Sequence, residues 1–304
     1  MRSQTFHDFE VLVCDDGSTD DLAQALAPYR DEIVLLRKEN GGEASAKNAA
    51  AAVAKADFVA ILDADDVYLE HNLEALSELA QLRPDLDILT SDALIVANGV
   101  EVRHVYDRSW RFEVEHQRSA ILQRNFVFGL AAVRRQRFLE HGGFDESIRW
   151  TTDWDLWLRM ILAGASAGCV DEPLALYRLR QTSLTAQRRN LLLGKLTTLE
   201  KARTNPALRK HERPVLDASL RSYRHDLSLL DLRAAVSARE PGTTRRALSL
   251  LPARGLPIRR RLELATIAVA PRIAGRVLRH RAASGWMGGG GTRVSRTAGT
   301  PPAR

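Results

Sequence analysis

Apolar residues in the first 180 positions gather in short runs separated by helical stretches. Residues 9–14 (Phe-Glu-Val-Leu-Val-Cys), 33–37 (Ile-Val-Leu-Leu-Arg) and 58–62 (Phe-Val-Ala-Ile-Leu) are β-rich and short, so each predicts a strand. Between them, residues 20–29 have helical character, and the alanine-rich 43–55 predicts a helix entered after Gly41-Gly42. The pattern then predicts a helix at 70–82, a strand at 87–91 and a strand-like stretch at 93–105. Residues 126–133 lead into a helix carrying Arg134, Arg135 and Phe138, and 173–178 reads as a last short strand. From Asp153, Leu156, Trp157, Met160 and Ile161 recur at helical spacing. Strands alternating with helices predict an α/β sheet with parallel neighbours. In such sheets ligands bind beyond the carboxyl ends of the strands. Two acidic clusters, Asp15-Asp16 and Asp63-Ala64-Asp65-Asp66, directly follow predicted strands.

Beyond residue 188 the pattern is helical. Leu216, Leu220, Tyr223, Leu227 and Leu230 predict a helix packed on the preceding unit. Ile258, Leu262, Ala265, Val269, Ile273 and Val277 form a second stripe, interrupted by Pro271 and flanked by seven arginines between Arg259 and Arg281. The Gly-, Ser-, Thr- and Pro-rich residues 285–304 predict a disordered tail. The expected division is therefore 1–187, a basic helical extension at 188–284, and the tail.

Composition sharpens this picture in three places. At 45% hydrophobic and 27% charged residues, most of the chain is expected to be globular. Two cysteines, Cys14 and Cys169, exclude a disulfide framework and have no zinc-ligand spacing, which fits a reducing compartment. No apolar stretch approaches the roughly 20 residues of a membrane span, and residues 1–10 lack the apolar core of a signal peptide. The net charge of +6 hides −12 over residues 1–187 and +18 over 188–304. A uniformly basic nucleic-acid binder is excluded on that split, and the N-terminal carboxylates point instead to a divalent cation.

Each cluster read alone is ordinary: Asp-Asp-Gly-Ser as a turn and helix cap, Asp-x-Asp-Asp as a solvated loop, Asp153 as an N-cap. Their order and spacing carry more. Ser3-Gln4-Thr5-Phe6, residues 9–20, Asn40-Gly41-Gly42, Ala46-Lys47-Asn48, Leu62-Asp63-Ala64-Asp65-Asp66, Gly143-Phe144-Asp145-Glu146, the helix start at 153–159 and Tyr177-Arg178 follow one another. Over about residues 3–187 this series resembles the GT-A-fold, family 2 nucleotide-sugar glycosyltransferases.

The resemblance implies a Rossmann-like, mixed but mainly parallel sheet flanked by helices. It implies attack of an acceptor hydroxyl on the anomeric carbon of a UDP-, GDP- or dTDP-sugar, with inversion. Asp65 matches the family's Mn²⁺ or Mg²⁺ ligand, Asp63 its partner near ribose and metal, and Asp66 is a third carboxylate. Asp16 matches the nucleobase contact with Asp15 beside it, and Lys47 replaces a nucleotide-site basic residue that is commonly Arg. Asp153 matches the catalytic base, preceded here by Thr152 where relatives carry Glu. Trp154, Asp155 and Arg180 are expected acceptor or phosphate contacts, Arg180 standing where many relatives have His. The implied partners are the donor and a saccharide or lipid-linked acceptor, with no nucleic acid. The implied location is cytoplasmic, at the inner face of the plasma membrane, with residues 258–281 either touching lipid or packing on the acidic unit.

The family pattern opens with a strand and helix ahead of Ser-Gln-Thr, so this chain is expected to lack one strand of the sheet. The expectation is a start codon placed too late; a native start at Met1 would favour a non-catalytic nucleotide-sugar-binding protein. The competing enzyme class is a sugar-1-phosphate nucleotidyltransferase, whose Gly-rich phosphate loop is not visible here.

Overall fold

The computed structural model describes residues 1–107, 110–179, 187–252 and 256–283. Two compact units divide the chain, Met1–Arg224 and His225–Arg304.

In the first unit, β1 (Val11–Asp15) pairs in parallel with β2 (Ile33–Arg37) through the short helix α1 (Leu22–Leu26). Helix α2 (Glu43–Val53) follows, starting after Gly42 at φ +90, a conformation that suits glycine. The larger sheet holds β3 (Phe58–Ala60), β4 (Val67–Tyr68), β5 (Ile88–Ala97), β6 (Val100–His104), β7 (Ala132–Arg134) and β8 (Ala167–Leu179). Its order is β3-β7-β5-β8-β4, with β6 paired to β5 as a hairpin. The sheet is mixed, as expected, but antiparallel pairings outnumber the parallel ones among the described residues. The parallel pairings are β1–β2 and β5–β8, whereas β3–β7, β5–β7, β4–β8 and β5–β6 are antiparallel.

β8 runs well past its sequence signal at 173–178, and β5 joins the two stretches expected at 87–91 and 93–105. β5 spans ten residues and β8 thirteen, and their pairing shifts register around Asp92. Asp92 is buried, accepts the Ala93 and Tyr106 N–H groups at 2.8 and 2.9 Å, and faces His104 Nδ1 at 2.6 Å. Those bonds hold a local irregularity that an alternation pattern does not reveal. Residues 126–131 form a buried irregular segment ahead of β7.

Helices α3 (Asn72–Leu82), α4 (Gln117–Ile121), α5 (Arg135–Glu140) and α6 (Thr152–Leu162) complete the unit with α7 (Arg188–Ala202) and the first part of α8 (Arg213–Ser237). The unit boundary falls at 224 rather than 187 because Leu199, Ala202, Leu208, Leu216 and Leu220 share one buried cluster with α6. Tyr223 donates its hydroxyl to Gln123 O at 2.9 Å. Later on α8 the buried positions are Leu229, Leu232 and Val236, not Leu227 and Leu230. They pack in the second unit with α9 (Thr243–Leu250), α10 (Ile258–Val269) and α11 (Pro271–Ala283). The expected tail, 285–304, lies outside the described residues.

Candidate active site

β3 and β5 point the same way, since each is antiparallel to β7. The chain leaves β3 at Ala60, and Ile61 donates its N–H to Ala131 O at 3.0 Å. Asp63-Ala64-Asp65-Asp66 follows as a tight turn closed by Asp66 N donating to Asp63 O at 3.0 Å. Tyr68, 4% exposed, bridges its base by donating to Ile61 O at 2.5 Å.

Asp66 points inward and accepts the Arg178 N–H at 2.8 Å, which ties the acidic turn to the end of β8. Its other oxygen is buried with no hydrogen-bond partner among the described residues. Burial pushes its carboxyl up to about 7, and the neighbouring charges of Asp63 and Asp65 add to the shift.

Lys47, from α2, reaches the same turn. Its Nζ lies 2.5 Å from both Asp63 Oδ1 and Glu43 Oε1. Burial opposes its charge, but the two carboxylates win and raise its pKa. Next to Lys47, Asn48 accepts the Phe144 N–H at 2.8 Å and donates to Phe144 O at 2.9 Å. Arg159 donates to Gly143 O at 2.7 Å, and Lys201 pairs with Asp145. The Gly143-Phe144-Asp145-Glu146 turn thus locks α2 to α6 and α7. Gly143 sits at φ +64, where a Cβ would also stand 2.5 Å from Asn48 Oδ1.

Asp153 lies in the first turn of α6, half-buried. Burial pushes its carboxyl up to about 6; the Trp154 N–H and Lys47 oppose this, while Glu43 and Asp63 reinforce it. Asn125 donates its amide to Asp153 Oδ2 at 2.8 Å. The amide itself is oriented, because Asn125 Oδ1 accepts the Val127 N–H at 3.3 Å and Asn125 O accepts the Trp110 indole N–H at 2.6 Å. Asn125 belongs to no motif and stands 28 residues from Asp153, so the sequence carried no signal for it. Replacing Asn125 by Ala is expected to move the acid limb of a kcat/KM profile upward by about one pH unit, since the lost hydrogen bond favours the ionised carboxylate. An unmoved limb would mean that Asn125 does not set the state of Asp153.

Asp15 and Asp16 serve the β1–β2 end. Asp15 is buried and accepts the Ser18 N–H at 2.8 Å, with Arg37 3.5 Å away. Asp16 accepts the N–H groups of Gly41 and Gly42 at 2.9 and 2.7 Å and the Lys38 ammonium at 2.8 Å. Its pKa is lowered, first by Lys38 and then by those amides. Both carboxylates already hold the loops around the expected nucleobase position. Gln4 is likewise structural: it donates to Leu69 O at 2.7 Å and accepts the Leu73 N–H at 3.1 Å.

Two expected contacts turn into the interior. Trp154 is 1% exposed and donates its indole N–H to Ile121 O at 2.8 Å. Asp155 is 2% exposed, paired with Arg159 at 2.8 Å and Lys201 at 3.4 Å. Helical geometry is the reason: with Asp153 toward the site, positions 154 and 155 rotate about 100° and 200° away. Neither offers an acceptor any surface. Arg180 lies outside the described residues.

Among the described residues, no group of three or more His, Cys, Asp or Glu side chains is arranged to hold a metal. The donor set still fits a hard cation that takes one or two carboxylates and completes its shell with phosphate oxygens and water. The buried oxygen of Asp66 that has no hydrogen-bond partner among the described residues leaves one polar atom beside those carboxylates unsatisfied. A groove of about 990 Å³, lined in part by Arg83, Gln117, Arg118 and Ala167, lies at the opposite, amino end of β5 and β8 and contains none of these carboxylates.

Carboxylates grouped beyond the carboxyl end of a strand in a mixed α/β sheet, facing one more on a helix start, define a GT-A-type fold. Solved structures share it. Staphylococcus aureus TarS 1–349 in complex with UDP-GlcNAc is 19% identical at a TM-score of 0.58, over 93% of this chain and 85% of that one. The mannosyltransferase PcManGT from Pyrobaculum calidifontis, in complex with GDP-Man and Mn²⁺, is 18% identical at 0.56, over 93% and 79%. Residues 1–143 match the family model described as Glycosyl transferase family 2. An uncharacterized glycosyltransferase of Rickettsia prowazekii is 29% identical over 52% of this chain and 51% of its own. The succinoglycan biosynthesis protein ExoU of Rhizobium meliloti is 27% identical over 72% and 70%. The chain spans about half the length of the first of these relatives.

Proposed function

We propose that the protein transfers a sugar from a nucleotide-diphospho-sugar to an acceptor hydroxyl, with inversion and with a divalent cation. The observation that carries this reading is Asp153: a half-buried carboxylate held by Asn125 and sensing the charges of Lys47, Glu43 and Asp63. A carboxyl poised near 6 is ionised at neutral pH and still basic enough to take a proton. Asp153 accepts the acceptor's hydroxyl proton as the oxygen bonds to the anomeric carbon. The bond from that carbon to the β-phosphate oxygen breaks, and its electron pair leaves with the nucleoside diphosphate. Attack opposite the leaving group inverts the anomeric centre.

Asp65 and Asp63 are the residues that would hold Mn²⁺ or Mg²⁺, with Asp66 behind them. Such a cation supplies neutralisation of the charge developing on the diphosphate. Lys47 adds a second positive charge beside Asp63, as a point charge without the fork of an arginine. Asp15 and Asp16 shape the nucleoside end by fixing the loops at Ser18 and Gly41-Gly42. The UDP-GlcNAc and GDP-Man bound in the structural neighbours support a nucleotide-sugar donor, and the likeness to a succinoglycan biosynthesis protein supports a role in polysaccharide assembly, which we place at the cell envelope. The reading includes a saccharide or lipid-linked acceptor, and work at the cytoplasmic face of the plasma membrane with residues 258–281 in contact with it. No described helix is long and apolar enough to cross a membrane.

Incubating the protein with UDP-, GDP- and dTDP-sugars plus Mn²⁺ or Mg²⁺ tests the reaction class. Release of a nucleoside diphosphate from one donor class is expected. Release of pyrophosphate from sugar phosphate and nucleoside triphosphate would assign a nucleotidyltransferase instead. Tight donor binding with no release under any acceptor would assign a non-catalytic binding protein.

A further inference from the structure

Helix α10 carries apolar residues on two opposite faces. Leu264 and Ile267 are fully buried and pack with Leu229, Leu232, Val236, Ala247 and Ala274 in the core of the second unit. Ile258, Leu262 and Val269 are 69%, 61% and 86% exposed, with Ala265 exposed between them. At 100° per residue these four fall in one sector of about 60°, away from Leu264 and Ile267. On the next helix, α11, Ile273 and Val277 are likewise 65% and 45% exposed. The stripe seen in the sequence is therefore not the face that packs in this unit. A different face does that, and the stripe is left facing water.

Arginines border the stripe. Arg259 and Arg261 stand on its two sides along α10, and Arg272 and Arg276 accompany Ile273; all four are exposed. Carboxylates are scarce by contrast. Glu263 is engaged by Arg233 at 2.7 Å through both oxygens. After Glu263 no acidic residue occurs to the end of the chain, while seven arginines do.

We propose that this outward face of α10 and α11 docks on an anionic lipid bilayer. An exposed aliphatic stripe and an arginine border are two separate demands, and a lipid interface meets both. The aliphatic side chains enter the headgroup–acyl boundary and the guanidinium groups pair with lipid phosphates. Nucleic acid satisfies the arginines and leaves five large aliphatic residues in water. A second copy buries the stripe but brings two arginine borders together. The surface deepens the membrane part of the proposed function, and its test needs no sugar transfer, so either can fail while the other stands.

The test is cosedimentation of the full chain with vesicles of phosphatidylcholine alone or mixed with phosphatidylglycerol. Binding to the anionic vesicles is expected at low salt, with release at high salt. The triple variant Arg259→Gln, Arg272→Gln, Arg276→Gln is expected to bind about a hundredfold more weakly, at about fivefold per arginine. The triple variant Leu262→Ser, Val269→Ser, Ile273→Ser keeps the charge and is expected to lose about tenfold or more. All six positions are exposed, so circular dichroism and the thermal midpoint should stay at wild-type values. Equal sedimentation of wild type and both variants, or no sedimentation at low salt, overturns the proposal. So does competition by RNA that the apolar variant leaves unchanged, which assigns nucleic acid. A concentration-dependent dimer abolished by the apolar variant, without vesicle binding, assigns self-association.

Discussion

Asp153→Asn is expected to lower kcat by about 10²–10⁴ while donor affinity changes by less than about twofold. The substitution keeps size and leaves an oxygen to accept the Asn125 amide, but the amide cannot take a proton. Titrating the wild type should show kcat/KM falling as pH drops through about 6, because the base works ionised and burial raises its pKa. The limb near pH 6 should vanish in Asp153→Asn, leaving only the titration of Asp66, whose carboxyl burial pushes up to about 7. Asp155→Asn is the discriminating control. Buried Asp155 pairs with Arg159 and Lys201, so its loss should appear as about 3–5 kcal/mol of stability in denaturant unfolding, with kcat in the folded fraction nearly kept. A crippled Asp155→Asn beside a mild Asp153→Asn would transfer the base to Asp155.

Asp65→Ala should abolish metal-stimulated turnover, by about 10³-fold or more, since one of only two or so protein oxygens on the cation is removed. Calorimetric titration with a nucleoside diphosphate separates binding from chemistry. Wild-type affinity should rise on adding Mn²⁺, whereas Asp65→Ala should bind equally with and without it. Lys47 already sits on Asp63 in the ligand-free protein. Some donor affinity should therefore survive metal removal, through the ammonium. Undiminished turnover in EDTA would show that Lys47 and the remaining site residues neutralise the leaving group unaided.

The buried Trp154 and Asp155 mark the limit of what the sequence makes legible. Local signals were enough for β1, β2, α2, α3 and α6, because a short apolar run or a 3.6-residue period is written in contiguous residues. The acidic turn after β3 and Asp153 at the start of α6 were legible for the same reason, each being tied to an element end. Direction along a helix was harder. Asp153, Trp154 and Asp155 are neighbours in sequence, yet only tertiary packing decided that the first faces the site and the other two the interior.

Sequence alone thus determined the resemblance to family 2 glycosyltransferases, the α/β class and the carboxylates from which a candidate site is built. Strand directions, the full lengths of β5 and β8 and the hold of Asn125 on Asp153 depend on residues far apart in the chain. So does the choice of Leu264 and Ile267 over Ile258 and Leu262 as the packed face of α10. The physical reason is one of range. Propensity and periodicity act within a few residues, whereas ladder pairing, burial and side-chain orientation are settled by whichever distant segment fills the space.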